Sequence, residues 1–126
     1  MSFAAAAREL VAALEAAGLR VAVRDGDLTP PVVYIPHLGN TTDAGGPLNS
    51  SRLVTFYVYY IPIRGPANLY GDADALDAVY DALTPITWAD LTGAWSSVTV
   101  GSDTWPCYRL DVALAGADDL TLRKAN

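Results

Sequence analysis

The sequence predicts a single α+β domain, in which a mainly antiparallel sheet of about four to five strands packs against two helices. Two stretches have apolar residues at helical spacing, and several others alternate or are rich in β-branched and aromatic residues. A length of 126 residues suits one domain. We therefore expect residues 1–126 to form one domain, with residues 117–126 as a flexible tail.

Two segments have the periodicity of amphipathic helices. The first covers residues 3–17, with Ser2 as the expected N-cap and Gly18 as the expected stop. The second is expected over residues 72–83, with Gly71 as an alternative first residue. Together these segments would supply two helices that cover one face of a sheet.

The remaining regular segments predict strands. Short strands are expected at 19–23 and 32–35, the strongest strand at 53–61, and a hairpin of 95–100 and 104–114 around residues 101–103. Between two of these strands, residues 37–51 are rich in Gly, Asn, Thr and Ser, which predicts a long loop. Loops of this length in compact domains are commonly functional or mobile.

The composition excludes several classes of protein. A net charge of −6 and a pI near 4.4 argue against nucleic-acid binding, which usually requires a basic surface. Cys107 is the single cysteine and cannot close an internal disulfide, which indicates a reducing compartment. Charged residues interrupt the apolar N-terminal run, so we expect neither a signal peptide nor a membrane span.

The residues that could carry catalysis or bind a metal are few. His37 is the only histidine, whereas a zinc site needs several His, Cys or carboxylate ligands. Ser50, His37 and Asp43 could be combined into a triad, but no G-x-S-x-G motif supports it. We expect no catalytic site, metal or cofactor, and we expect Cys107 to pack as a small apolar residue or to lie inertly at the surface.

The tyrosines on the strongest strand allow two interpretations. Alternation leaves Tyr57 and Tyr59 on the opposite face of the sheet from the residues predicted to face the helices, which are Val54, Phe56, Val58 and Tyr60. Exposed tyrosines on a sheet are typical of a contact surface. The alternative is a second small core beneath the loop at 37–51.

Several polar residues are also candidates for contacts with other chains, because they lie in the long loop or beside a strand end. With the two tyrosines, the candidate interface comprises Tyr57, Tyr59, Arg52, Arg64, Asn40, Thr41, Thr42 and Asp43. The second helix carries Asp74, Asp77 and Asp81 on one face, which is more typical of a solvated face than of a metal or acid–base site.

The order of these segments carries a family resemblance. An alanine-rich helix, ARELVAALEAAGLRV, is followed by PPVVYI, a long loop, LVTFYVYYIPIRG, the helix GDADALDAVYDAL and a final hairpin that ends in YRLDVAL. This arrangement resembles the tail terminator proteins of long-tailed phages (siphoviruses) that infect actinobacteria. The similarity covers nearly the entire chain and consists of pattern, without a short exclusive motif.

The resemblance implies a structural virion protein and no enzyme. Such proteins form a six-membered ring on the head-proximal end of the tail tube, where the ring ends tube growth and offers a face to the head. The implied partners are further copies of the chain, the major tail tube protein and the head–tail connector. The resemblance implies no cofactor, no membrane and a virion location after assembly in the host cytoplasm.

A ring would also have to let DNA pass. A folded chain of this length has a radius of gyration of about 14 Å, so no duplex can thread one copy. Only a closed ring can provide the channel. The acidic residues Asp74, Asp77 and Asp81 are candidate channel lining, because negative charge would repel phosphate and let DNA pass without specific binding.

Two alternatives remain open from the sequence. The first is a head-completion or neck connector protein, which would share this virion location and overall pattern. The second is a small cytosolic ligand-binding or enzymatic α+β domain. That alternative requires a pocket with convergent polar groups.

Overall fold

A computed structural model describes residues 3–36, 38–43, 52–63, 68–87 and 91–114. Within these ranges the chain forms two α-helices and six strands, with a short 3-10 helix at Asp25–Asp27. In chain order they are α1 (Phe3–Ala16), β1 (Val21–Ala22), β2 (Val32–Tyr34), β3 (Leu38–Asp43), β4 (Arg52–Ile61), α2 (Leu69–Leu83), β5 (Thr92–Val100) and β6 (Asp103–Leu114). The predicted α+β class is confirmed.

The strands form one sheet with β4 and β6 at its centre. The order is β1-β2-β4-β6-β5, and β3 pairs with β4 beside β2. Only the short β1–β2 pair is parallel, so the sheet is mainly antiparallel. The central β4–β6 ladder runs from Val54↔Leu114 to Tyr60↔Tyr108.

β3 was not expected, since residues 37–51 were predicted to form a loop. The prediction is wrong for Leu38–Asp43, which pair with the first half of β4. The composition suggested a loop, but β-propensity depends strongly on context, and an adjacent strand supplies hydrogen-bond partners that a local pattern does not reveal. His37 and residues 44–51 of the predicted loop lie outside the described residues, as does the predicted tail at 117–126.

α1 ends as its sequence predicts. Gly18 has a φ of +84°, which side chains disfavour and glycine tolerates. The Leu19 amide donates to the carbonyl of Leu14, and the Gly18 amide donates to that of Glu15. These two bonds form a Schellman motif, which satisfies carbonyls that the helix leaves open. The expected N-cap, Ser2, lies outside the described residues.

α2 begins earlier than predicted, at Leu69 instead of Gly71 or Asp72. The reason is the cap: the side-chain oxygen of Asn68 accepts a hydrogen bond from the Gly71 amide at 3.1 Å. An asparagine in this role satisfies one of the free amides of the first turn. Asp72 therefore lies within the first turn, where the helix dipole stabilises a negative charge.

The main core lies between the two helices and one face of the sheet. Leu10 and Leu14 of α1 and Val79 and Leu83 of α2 are fully buried there. From the sheet come alternate residues of β2, β4 and β6, as expected for strands with one face toward the helices. The buried sheet members of this core are Val33, Ile35, Val54, Phe56, Val58, Tyr60, Leu110, Val112 and Leu114.

The β5–β6 hairpin differs from its prediction in two ways. β5 begins at Thr92 and not at residue 95, and Val100 pairs directly with Asp103. The turn therefore has two residues, Gly101 and Ser102, instead of three, and Gly101 has a φ of +62°. Glycine supplies this backbone conformation without steric cost, which permits the tighter turn.

Candidate assembly surface

β5 forms one outer edge of the sheet, since among the described residues it pairs only with β6. Val100 and Asp103 flank the two-residue turn and form the bonded pair that closes the hairpin. Bonded and non-bonded pairs alternate from there. The backbone groups that point away from β6 therefore belong to Gly93, Trp95, Ser97 and Thr99.

This outer edge carries no protection of the usual kind. The nine residues of β5, TGAWSSVTV, include no charged residue and no proline. Edge strands of natural proteins are commonly blocked by lysine, proline, a bulge or a covering element. Most residues of β5 are also exposed. Within the described ranges, its outward amides and carbonyls therefore have no strand partner.

An aromatic cluster supports β5 on the face covered by the helices. The rings of Trp95 and Tyr108 meet edge to face, with their centroids 5.3 Å apart. Tyr108 in turn approaches Tyr80 of α2, and their hydroxyl oxygens lie 3.0 Å apart. Burial, followed by this hydrogen bond, raises the pKa of Tyr80 to about 12. Trp95 stays 56% exposed, so the cluster ends in an apolar surface beside the open edge.

The absence of a side chain at Gly93 makes room for this cluster. A Cβ at this position would lie 2.7 Å from the hydroxyl oxygen of Tyr80 and 2.8 Å from that of Tyr108. Carbon and oxygen atoms that are not bonded do not approach this closely. Because Gly93 has no side chain, the side chains of Tyr80 and Tyr108 can pack over β5, and their contact holds the hairpin against α2.

The opposite face of the sheet carries a polar patch around Tyr57. Arg109 of the neighbouring strand holds its Cζ 4.2 Å from the centroid of the Tyr57 ring. Its Nε donates to Oδ1 of Asp111 at 3.1 Å. Both charged side chains are more than 40% exposed, so their attraction contributes little to stability. The guanidinium of Arg109 thus lies over the half-buried ring of Tyr57, with the carboxylate of Asp111 beside it.

Tyr59 has a different environment from Tyr57, because it packs on a second small core. Its ring centroid lies 6.3 Å from that of Tyr34, and burial raises the pKa of Tyr59. The fully or nearly buried members of this core are Ala22, Val32, Tyr34, Ile61 and Cys107. Of the two interpretations of the tyrosines, a second core applies to Tyr59, whereas Tyr57 stays on a partly open surface.

The cover of this second core also differs from the expectation. Val98 and Val100 of β5 and Trp105 of β6 pack against it, together with Leu28. Among the described side chains, the hairpin thus supplies most of its cover. Cys107 is fully buried there, which confirms that it packs as a small apolar residue, and burial raises the pKa of its thiol.

Five of the other predicted interface residues lie at the start of β4 or in β3, which pairs with it. Asn40, Thr41 and Thr42 lie in β3, and Asp43 of β3 pairs in register with Arg52 at the start of β4. Within the described part of the chain, β3 pairs only with β4 and so forms a second outer edge. Arg64 and Ser50 lie outside the described residues.

The acidic face of α2 has the exposure that its spacing predicts. Asp74, Asp77 and Asp81 are all exposed to solvent. Across the ranges described, no group of three or more His, Cys, Asp or Glu side chains could hold a metal ion. No described helix is long and apolar enough to cross a membrane.

A cavity of about 980 Å³ lies between the start of α2, the end of β4 and the segment before β2. The hydroxyl of Tyr60 donates there to Oδ1 of Asp72 at 3.4 Å. Burial, followed by the negative charge of Asp72, raises the pKa of Tyr60 to about 12. Arg20 also lines the cavity, and its guanidinium donates to the Thr29 carbonyl at 3.2 Å. The residues that line the cavity come from segments that are distant in the sequence and share no motif, so the sequence did not predict the cavity.

Sequence reasoning also missed the aromatic cluster, and the turn length explains why. A three-residue turn at 101–103 would pair Val100 with Thr104 and therefore Trp95 with Arg109. In the observed register Trp95 pairs with Tyr108. A slip of one residue moves every side chain to the other face. The signal that could have located the cluster is the Gly-Ser pair at 101–102, which is typical of a two-residue hairpin turn.

These features define a single small α+β domain whose edge strands, among the described residues, are β1, β3 and β5, with an exposed aromatic side chain on β5 and an acidic helix face. The chain matches no known protein-family profile, and no curated protein matches it. Its function is therefore inferred from its own geometry and from the resemblance of its sequence pattern.

Proposed function

We propose that this chain is a tail terminator, a structural virion protein that caps the head-proximal end of a phage tail tube as a closed ring. The observation that carries the proposal is the open, uncharged edge of β5. An edge of this kind offers a row of backbone groups with which a strand of another chain can pair. The resemblance of nearly the whole sequence to tail terminators selects this role among assembling proteins.

In this role the chain acts through its surfaces and performs no catalysis. Identical subunits close into a ring when one surface of each meets a different surface of the next. The expected ring has six members, ends the growth of the tube and joins it to the head–tail connector. Assembly takes place in the host cytoplasm, and the finished ring belongs to the virion.

In such a ring, we expect the acidic face of α2 to line the channel through which DNA passes. Asp74, Asp77 and Asp81 are exposed and lie on one helix face, and the whole chain has a net charge of −6. A channel lined by carboxylates repels phosphate, so DNA slides without adhering. Replacing the three aspartates with lysine is expected to slow DNA passage and to leave ring formation intact.

The decisive experiment measures tube length. The cognate tail tube protein is allowed to polymerise with and without this chain, and the lengths and ends of the tubes are recorded by electron microscopy. A terminator shortens the tubes in proportion to its concentration and forms a ring at one end. Unchanged tube lengths and bare tube ends would contradict the proposal.

A neck connector is the nearest alternative and is separated by its binding partner. A terminator attaches to free tails, whereas a head-completion protein attaches to DNA-filled heads. Incubating the labelled chain with each particle and sedimenting the mixtures distinguishes the two.

The cavity beside Tyr60 and Asp72 favours a second candidate function, a small ligand-binding domain. Its volume of about 980 Å³ is sufficient for a small molecule. A thermal-shift screen of metabolites tests this function. A compound that stabilises the wild-type chain but not Asp72→Asn would support it.

A further inference from the structure

β5 differs from the other edge strands of the described sheet in its length and regularity. β1 has two residues, and the pairing of β3 with β4 shifts in register between Leu38 and Thr41. β5 pairs with β6 over nine consecutive residues without a shift, and it contains no proline and no charged side chain. Short strands, bulges, prolines and charges are the common protections of a sheet edge. Among the described edges, β5 is therefore the one that lacks all of them.

The symmetry of a strand edge suits β5 to a second copy of itself. A two-fold rotation about an axis perpendicular to the sheet reverses the direction of a strand, so two copies of β5 related in this way are antiparallel. The same residues meet on both sides, and the two strands lie at the same height by symmetry. The rotation also leaves the helices of both copies on the same side of one continuous sheet.

The distribution of charge favours this edge as the place where two copies meet. The chain has a net charge of −6, so two copies repel each other as they approach. Like charges directly opposite each other on paired strands are destabilising. Because β5 carries no charge, its edge can meet that of a second copy without such a pair.

We propose that two copies of this chain pair antiparallel through β5, with the two-fold axis at Ser96. The outward backbone groups belong to the alternate residues Gly93, Trp95, Ser97 and Thr99. With the axis at Ser96, Gly93 is opposite Thr99 of the second copy, and Trp95 is opposite Ser97. All the outward amides and carbonyls of both strands are then used, in about eight hydrogen bonds. An axis at Trp95 or at Ser97 would leave one outward residue of each strand unpaired.

The side chains on both faces fit this register. On the face covered by the helices, Trp95 is 56% exposed and would lie diagonally across the axis from Trp95 of the second copy. Diagonal neighbours are about 7–8 Å apart, a distance that aromatic side chains can span. On the other face, Ala94 would meet Val98 of the second copy, and the two Ser96 hydroxyls would meet at the axis. The pairing thus covers the exposed aromatic side chain at this edge.

The inference goes beyond the terminator role, because it concerns the free chain before assembly. A strand edge pairs with one other strand at a time. The dimer and a ring that uses β5 therefore exclude each other, and the dimer separates before such a ring closes.

A cysteine placed at the axis tests both the pairing and its register. In a non-bonded antiparallel pair the Cα atoms lie about 4.5 Å apart, within the range of a disulfide. Ser96 is opposite Cys107 on β6, so the variants are made in a Cys107→Ala background whose folding is checked by urea unfolding. We expect Ser96→Cys to form a disulfide-linked dimer on mild oxidation, measured by non-reducing electrophoresis. Ala94→Cys is the matched control, since it lies on the same face and would be opposite Val98.

Native mass tests the pairing without a disulfide. We expect the wild type to pass from 13.3 kDa to twice that mass as its concentration rises. Ser97→Pro removes an outward amide and no ladder bond to β6, so it should remain a monomer. Ser97→Ala keeps the amide and should dimerise like the wild type. If circular dichroism shows that the proline variant is unfolded, Ser97→Lys replaces it, because a charge at the edge should also block pairing.

Other outcomes overturn the inference. If Ala94→Cys forms the disulfide as readily as Ser96→Cys, the register is wrong. If Ser97→Pro dimerises like the wild type, the copies meet elsewhere. A wild type that stays monomeric at every concentration, or that forms only closed rings, shows that β5 does not pair with itself. The tube-length experiment decides separately whether the terminator role holds, since that role does not depend on the dimer.

Discussion

The hydroxyl oxygens of Tyr80 in α2 and Tyr108 in β6 lie 3.0 Å apart, and this pair joins the second helix to the hairpin that carries the open edge. The ring of Tyr108 also meets Trp95 of β5 edge to face. A continuous series of contacts therefore runs from α2 to the edge of the sheet. It makes the edge a fixed part of the domain, and a preformed edge pairs at a lower entropic cost than a mobile one.

Replacement of Gly93 tests how closely the two tyrosines pack on β5. A Cβ in Gly93→Ala would lie 2.7 Å from the hydroxyl oxygen of Tyr80, so the side chains or the strand must shift. We expect a loss of about 1–3 kcal/mol in the free energy of unfolding, as is typical of overpacking. Gly26→Ala is the control, because a Cβ there meets nothing within 4 Å. Equal urea midpoints for the two variants would refute the close packing.

The raised pKa of Tyr80 predicts a loss of stability at alkaline pH. Folding raises this pKa from 10.0 to about 12, so the folded chain holds the proton more tightly than the unfolded chain. The stabilisation is complete below pH 10 and is lost as the pH rises toward about 12. We expect the free energy of unfolding to fall less steeply over this range in Tyr80→Phe. Tyr70→Phe serves as the control, because Tyr70 is 82% exposed, and its profile should match the wild type.

Leu10 tests the contribution of α1 to the main core. Its side chain is fully buried between the helix and the sheet. We expect Leu10→Ala to reduce the free energy of unfolding by about 2–5 kcal/mol, since it removes apolar contacts and leaves a cavity. Leu69→Ala makes the same chemical change at a side chain that is 74% exposed. Its effect should be within about 0.5 kcal/mol of zero, and a similar loss for both variants would contradict the burial of Leu10.

Asn68 tests the early start of α2. Its side-chain oxygen accepts from the Gly71 amide, so Asn68→Ala leaves that amide without its cap. We expect a loss of about 1 kcal/mol in the free energy of unfolding. Asn68→Ser should restore most of it, because serine is also a good N-cap. If serine and alanine are equally destabilising, the hydrogen bond does not stabilise the helix.

Much of the fold follows from local patterns in the sequence. The apolar spacing in α1 and the glycine that ends it predict both the helix and its last turn, and Gly18 has the positive φ that the motif requires. Alternation along β4 predicts which residues face the core, and Val54, Phe56, Val58 and Tyr60 are all buried. These features depend on the periodicity of the backbone, which is the same in any tertiary context.

The contacts of the candidate assembly surface were less predictable from the sequence than the helices and strands. Tyr57 and Tyr59 share a strand face and a residue type, so no local pattern separates them. Arg109 covers one and Tyr34 contacts the other only because β6 and β2 pair with β4 in particular registers. Trp95 reaches Tyr108 for the same reason, since the turn at Gly101 and Ser102 is one residue shorter than predicted.

Local patterns in the sequence predict the α+β class, the two helices and the strongest strand, but they leave open whether Cys107 is buried or lies at the surface. Tertiary contacts determine that Leu38–Asp43 is a strand, that α2 begins directly after the cap at Asn68, and that β5 is an edge strand among the described residues. The physical reason is that helix and strand periodicities are encoded in neighbouring residues. Strand pairing depends on register between distant segments, where a shift of one residue exchanges the two faces of a strand.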